Sequence, residues 1–470
     1  MPDTELWQLD ATDLAQLIRF GRTSATEATR SVLDRLHTVN PHLNAVVRLR
    51  ETEALAEAAA ADARQVRGEA LPPLHGVPVT VKVNVDLAGY PNDNGVVAFR
   101  DAIATEDSPV VANLRKAGAI VIGQTNTPAF SMRIFTENEL HGRTVNPRDP
   151  GTSPGGSSGG AGAAVATGIG PIGHGNDIGG SVRIPAYCNG IVGLRVSLGR
   201  IPAFNPSQPV ARPIGSQLMS VQGPLTRTVR DARLALSVMA RGDLRDTRWA
   251  DVPLAGPPPR RPIRVALVPD LPGGFTHPAQ AAAVRVAGRH LAAAGYAVEE
   301  VLPPDIEAIV EVWHKIGSTD VFAALGPRIQ ELGDAGARAS VGHWLALYPP
   351  TDMAGVLGAL ALRDLLLQRW LTFMLDTPLV VLPTLADLPP PQGQDQTRDG
   401  QMKVVESLRA SLIAPVLGLP ALAVPVGHHG ALRTGVQITA ARFREDLCLD
   451  AGAVIEAAEG VVRPIDPVTG

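Results

Sequence analysis

The chain has 470 residues with a formal net charge of -4 at pH 7, 45% hydrophobic and 19% charged residues, which is enough material for one large core or several small ones. Mild acidity without basic blocks argues against nucleic acid or an anionic membrane surface as a partner. The two cysteines, Cys188 and Cys448, lie far apart and outside any CxxC or Cys/His spacing, so neither a disulfide framework nor a zinc site is expected.

The amino terminus, MPDTELWQLD, is acidic where a secretory leader would be basic, and no apolar stretch follows it. A cytoplasmic protein is expected. Residues 1–70 read as a helical layer. Asp10 caps a helix through about Phe20, Ser24 with Glu27 forms a capping box ahead of Ala28, Val32, Leu33 and Leu36, and Glu51–Val66 is Ala-rich. From Leu74 the pattern changes to VTVKVNV, in which Val79, Val81, Val83 and Val85 share one face and Lys82 takes the other. Lys82 is one of only four lysines among 42 basic residues. An edge strand with its lysine in water is one reading; a buried lysine, whose desolvation favours the proton-accepting amine, is the other.

A helix opens at Ser108-Pro109, with proline at its first position, and ends before the strand AIVIG. Alternating α and β elements of this kind indicate a layered α/β domain. Residues 126–150 fit no regular element; Phe130, Met132, Arg133 and Phe135 are either pocket wall or core. Then comes the densest stretch, Thr152–Arg183, with GGSSGG at Gly155–Gly160 and GGS at Gly179–Ser181. Each cluster offers a serine hydroxyl beside exposed backbone N–H groups, the means to attack a carbonyl and hold the oxyanion. Neither contains a base. Further on, Val229–Met239 and Ala281–Ala294 read as helices, RVALVP, YAVEEV and PLVVLP as strands, and Met353–Leu375 as a long helix. Residues 305–350, with Trp313, Trp344 and Tyr348, suggest a pocket rim or lid. Asp387–Gly400 reads as a polar loop. The longest apolar run, Ile413–Val426, is interrupted by three prolines and reads as buried strand and turn, not as a membrane span.

Single motifs compete here. Gly155–Gly159 fits G-x-S-x-G, yet the nucleophile elbow needs a strand before it and NPRDPGTSP is a loop. Gly168–Gly173 fits G-x-G-x-x-G but opens no helix, and no Walker lysine follows any glycine. His428-His429 reads as a solvated turn rather than a metal pair.

A multi-part pattern fits more of the chain. HGVPVTVKVNVDLAG, DSPVVANLRKAGAIVIGQTNTPAF, NPRDPGTSPGGSSGGAGAAVA, GHGNDIGGSVR, PAYCNGIVGLR and, near the end, GLPALAVPVG with GVQITA resemble the amidase signature family in content and order. The resemblance is dense over residues 71–200 and thinner over the last hundred. It implies an α/β/α fold, one domain over residues 1–470 around a large twisted mixed sheet, with a catalytic core at 71–200. It also implies a Ser-cisSer-Lys triad whose positions fall on Ser181 as nucleophile, Ser157 as relay after a cis peptide bond, and Lys82 as base. The N–H groups of Ile178, Gly179, Gly180 and Ser181 would form the oxyanion hole. Lysine supplies the missing base: its ordinary pKa of about 10.4 must be offset by roughly 4 kcal/mol at neutral pH, which burial can provide.

Two departures from the common pattern stand out: Lys82-Val83-Asn84 in place of Lys-Asp-Asn, and Asn176 in place of Thr or Ser before Asp177. Asp177 and Arg183 bracket the nucleophile as a structural ion pair, while Ser153 and Ser158 are expected to support the loop by hydrogen bonds. The implied activity is cleavage of a small amide by acyl transfer to serine and then to water, without metal or cofactor. Alternatives are the same triad acting on carbamates or esters, or an amidotransferase subunit releasing ammonia. For the substrate, Arg133 points to an anionic group, and Phe130, Met132, Trp313 and Trp344 to an aryl or alkyl one. Oligomeric state is open, with a homodimer among the options.

Overall fold

The computed structural model describes residues 5–208 and 210–468; the first four residues of the N-terminal layer and Pro209 of the proline-rich turn lie outside them. Thirteen strands are present among these: β1 (Val46–Leu49), β2 (Pro78–Lys82), β3 (Ile120–Thr125), β4 (Glu137–Asn138), β5 (Gly142–Arg143), β6 (Ile172–Asp177), β7 (Val192–Arg195), β8 (Val221–Thr226), β9 (Arg264–Leu267), β10 (Ala297–Glu300), β11 (Leu379–Pro383), β12 (Ala421–His429) and β13 (Leu432–Ala440). Eleven of them make one mixed sheet in the order β1-β3-β2-β6-β8-β7-β12-β13-β11-β9-β10, and β4 and β5 form a separate hairpin.

Both faces of the sheet are covered, so its strands read as near-continuous apolar runs. Side-chain alternation along β11 shows the two faces: Leu379 and Val381 enter one core, Val380 and Leu382 the other. Helices Val229–Met239, Pro278–Ala293 and Glu445–Glu459 cover the first face. Helices Ile306–Ile316, Met353–Asp376 and Arg398–Leu417 cover the second. The architecture is the α/β/α sandwich around a mixed sheet.

The N-terminal helices form with the expected caps: Asp10 accepts from the Asp13 N–H, and Ser24 and Glu27 make both hydrogen bonds of a capping box. This layer is not purely helical, because Val46–Leu49 pairs antiparallel with β3 and closes that edge of the sheet. A second difference lies in the apolar run Ile413–Val426. Its first part ends the 20-residue helix Arg398–Leu417, which Pro415 enters only in the last turn; the Ser411 carbonyl left free by the missing proline N–H accepts from Arg183 Nη2 instead, and Gly418 closes the helix in the left-handed conformation. Among the described residues no helix is long and apolar enough to cross a membrane.

Lys82 is not on an edge. β2 lies between β3 and β6, all five of its residues are buried, and it runs parallel to both neighbours. Its ladder with β3 continues through Lys82, opposite Thr125, whereas its pairing with β6 stops at Thr80. The helix Gly159–Ala166, whose glycines, alanines and single valine are all buried, packs against β2 and β6. Only small residues allow this approach: a Cβ on Gly160 would come within 2.4 Å of the Asn126 nitrogen.

Candidate active site

At the end of β2 the Lys82 Nζ lies 2.7 Å from Ser157 Oγ and 2.8 Å from Asn176 Oδ1. Lys82 is fully buried, and desolvation pushes its amine well below the ordinary lysine range, with the Asp177 carboxylate opposing the shift. Ser157 follows a cis peptide bond to Gly156. Behind the lysine sits His174. Its Nε2 is 2.8 Å from Gln222 Oε1, and burial, reinforced by Lys82, lowers its pKa to about 4 against the Gln222 hydrogen bond. The imidazole is therefore neutral, with Nδ1 left as acceptor for the Lys82 backbone N–H at a long 3.5 Å.

Beyond Asp177, β6 gives way to a turn through Ile178, Gly179 and Gly180, then Ser181 and the short helix Arg183–Asn189. Gly180 has φ 116°, and a Cβ there would meet Ile184 Cδ1 at 2.5 Å, so glycine is required twice over. Asp177 anchors the turn. Its carboxylate accepts from the Gly180 and Val182 N–H groups at 2.9 and 3.2 Å, from Arg183 Nε and Nη2 at 3.0 Å each, and from Arg195 Nη1 at 3.1 Å. Burial alone would raise its pKa, but the two guanidiniums and these hydrogen bonds hold it well below the usual carboxylate range. Arg183 reaches onward to Gln437 Oε1 and the Ser411 carbonyl, and Arg195 to the Met219 carbonyl. The Ser181 turn is thereby tied to β13, to the Arg398–Leu417 helix and to the end of the short helix Ile214–Met219. The two serine clusters meet through the Ser158 N–H, which donates to the Ser181 carbonyl at 3.3 Å.

Ser181 opens onto a cavity walled by Met132, Ile134, Trp313, Phe322, Trp344 and Leu412. Trp344 is the hub of the aromatic wall, with ring centroids 5.2 Å from Trp313 and 5.1 Å from Phe322. Trp313 also donates its indole N–H to the Ile178 carbonyl at 3.3 Å, which joins the wall to the turn.

Four sequence expectations change. The Gly180 N–H is spent on Asp177, so the donors left for an oxyanion are those of Ile178, Gly179 and Ser181. Arg133 does line the cavity, but its guanidinium is clamped by Asp395 through two hydrogen bonds of 2.7 and 2.9 Å, both side chains buried, and it offers no free charge to an anionic substrate. Phe130 is not in the wall: it packs edge-on against Phe99, 6.0 Å between centroids, within the core that backs the cavity. Ser153 links the Ile134 carbonyl to the Gly155 N–H, whereas the buried Ser158 hydroxyl has no partner among the described residues. Leu408 and Leu412 of the Arg398–Leu417 helix and Val321 and Phe322 of the π-helical turn Gly317–Phe322 also line the cavity and gave no motif signal.

The Amidase family model matches residues 27–449. The chain belongs to the amidase signature family. It is 46% identical over 465 residues to an indoleacetamide hydrolase of Bradyrhizobium diazoefficiens, covering 98% of this chain and 88% of that one. It is 33% identical to an acylamidase of Rhodococcus erythropolis, covering 99% and 97%. Among solved structures, that of 6-aminohexanoate cyclic dimer hydrolase complexed with substrate superposes with a TM-score of 0.84 at 28% identity, covering 98% of this chain and 99% of that one. This amidase signature protein is an amide-hydrolysing enzyme.

Proposed function

We propose that the enzyme hydrolyses a small, uncharged carboxamide with an aryl-bearing acyl group through a covalent intermediate on Ser181. The observation that supports this most is a buried lysine amine 2.7 Å from the Ser157 hydroxyl, beside a second serine that opens onto an apolar cavity. The Ser181 Oγ bonds to the amide carbon while the carbonyl π pair moves to oxygen. The Ser181 proton passes to Ser157 as the Ser157 proton passes to the Lys82 Nζ. The oxyanion takes hydrogen bonds from the Ile178, Gly179 and Ser181 N–H groups. As the C–N bond breaks, the same relay returns the proton to the leaving nitrogen, and ammonia departs from a primary amide. Water, deprotonated along the same path, then releases the acid and restores Ser181.

The wall supports this substrate class. Indole and phenyl groups match a cavity built from Trp313, Phe322, Trp344, Met132 and two leucines, and the name of the Bradyrhizobium relative points to an indolyl amide. With Arg133 neutralised by Asp395, a carboxylate on the substrate would be buried without a counter-charge. In a panel compared by kcat/KM, indoleacetamide and phenylacetamide should exceed an amide carrying a carboxylate by on the order of 10²-fold or more. Asp395→Asn should free the guanidinium and narrow that ratio roughly tenfold. A wild-type preference for the anionic amide would overturn the assignment.

A further inference from the structure

We propose that Asn176, clamped by Asn84, is a positioning residue that aims the electron pair of the Lys82 amine at Ser157. The inference rests on the triad reading above. The two side-chain amides face each other: Asn176 Nδ2 donates to Asn84 Oδ1 at 2.9 Å, and Asn84 Nδ2 donates to Asn176 Oδ1 at 3.3 Å. Asn84 Nδ2 also donates to Ser131 Oγ at 2.9 Å, and Ser131 is held in turn by Asn94 Oδ1 at 2.6 Å and Thr127 Oγ1 at 2.9 Å. With its hydrogen given to Asn94 Oδ1, Ser131 Oγ accepts from Asn84 Nδ2, which sets the Asn84 amide, and the reciprocal pairing then turns the Asn176 oxygen toward Lys82.

A neutral amine has two N–H bonds and one electron pair. With one N–H drawn to Asn176 Oδ1 at 2.8 Å, the electron pair can turn to the Ser157 hydroxyl hydrogen at 2.7 Å. Without that acceptor the amine rotates freely and offers Ser157 an N–H as readily as its electron pair. The acceptor is an uncharged amide, and the next residue in the strand direction is Val83 rather than an acid. The titratable groups facing the amine are both on β6: Asp177, already neutralised by Arg183 and Arg195, and His174, uncharged. On the side of β3 and of the Gly159–Ala166 helix, the neighbours Gln124, Thr125 and Ser157 do not titrate. An amide thus orients the lysine without supplying the negative charge that would favour its protonated form.

Three variants test this against pH. Asn176→Leu, similar in shape but without an acceptor, should lower kcat by about 10²-fold with KM within about twofold, and its acid limb should stay or move down. Asn176→Asp should move the acid limb of kcat/KM up by about one pH unit or more, because the new carboxylate favours the ammonium. Asn176→Thr, which keeps an oxygen acceptor, should recover most of the activity lost in Asn176→Leu. Melting curves establish that each variant is folded, and the Leu/Thr comparison stands alone if Asn176→Asp is not. An Asn176→Leu kcat near wild type, or an acid limb in Asn176→Asp that is unmoved or lowered, would overturn the proposal. Stoichiometric labelling of Ser181 by a serine-directed phosphonate in wild type separates this outcome from failure of the triad reading, in which the label goes elsewhere.

Discussion

Replacing Ser181 or Lys82 with alanine should each reduce amide hydrolysis by on the order of 10⁴-fold or more, and the double variant should be little worse than either single one, because the groups act as one relay. Lys82→Arg should be as inactive as Lys82→Ala: a guanidinium stays protonated and cannot accept the Ser157 proton. Lys82→Met gives the opposite sign on stability. Burial depresses the lysine pKa in the folded state below its unfolded value, so between those two values the unfolded chain binds the extra proton. Stability contributed at this site therefore rises with pH and is lowest in acid. At neutral pH an isosteric apolar side chain removes that penalty, and Lys82→Met should melt above wild type while being inactive. For the same reason wild-type activity is lost as pH falls through the folded pKa. Rates on indoleacetamide, phosphonate labelling and melting curves from pH 5 to 9 check all three. Near-full activity in folded Lys82→Ala, or a label on Ser157 instead of Ser181, would refute the assignment of roles.

Lys82 stood out because lysine is rare in this chain, and the alternating valine strand left an exposed edge lysine and a buried amine both open; β2 proves to be an interior strand with Lys82 buried. The glycines around Ser181 were equally legible, since short-range backbone demands are written in adjacent residues. What stayed hidden depends on distance along the chain. Arg133 meets Asp395 across 262 positions, and nothing near either residue announces the pairing, so Arg133 read as a free cation. The Arg398–Leu417 helix was obscured because it is buried over its last three turns and loses the polar face that gives helices their period. Leu408 and Leu412 went with it. The Gly180 N–H was assigned to the oxyanion hole because sequence cannot tell which of several neighbouring donors a nearby carboxylate will take.

The loop around Ser181 has its own weak point in Asp177, and Asp177→Asn should damage both fold and rate. Removing the charge leaves Arg183 and Arg195, both fully buried, without a counter-ion. Breaking a buried pair from one side costs about 3–5 kcal/mol, so the melting temperature should fall by several degrees. Asparagine can keep one acceptor, but the carboxylate now serves Gly180, Val182, Arg183 and Arg195 together. Some of these must go unpaired, and the turn that aims the Ile178 and Gly179 donors will shift. Loss of one oxyanion donor costs about 10²–10³-fold in kcat, and a loss of that size is expected in whatever Asp177→Asn folds. The folded pKa of Asp177 is held below the unfolded one, so its stabilisation is complete above the ordinary carboxylate range of about 3.9 and disappears as pH falls through the folded value. The stability gap between wild type and Asp177→Asn should therefore be constant from about pH 5 upward and shrink below about pH 4. Arg183→Met, which removes one cation and leaves Asp177 paired with Arg195, should be the milder lesion. If Asp177→Asn melts and turns over like wild type, the carboxylate is not what holds the Ser181 loop.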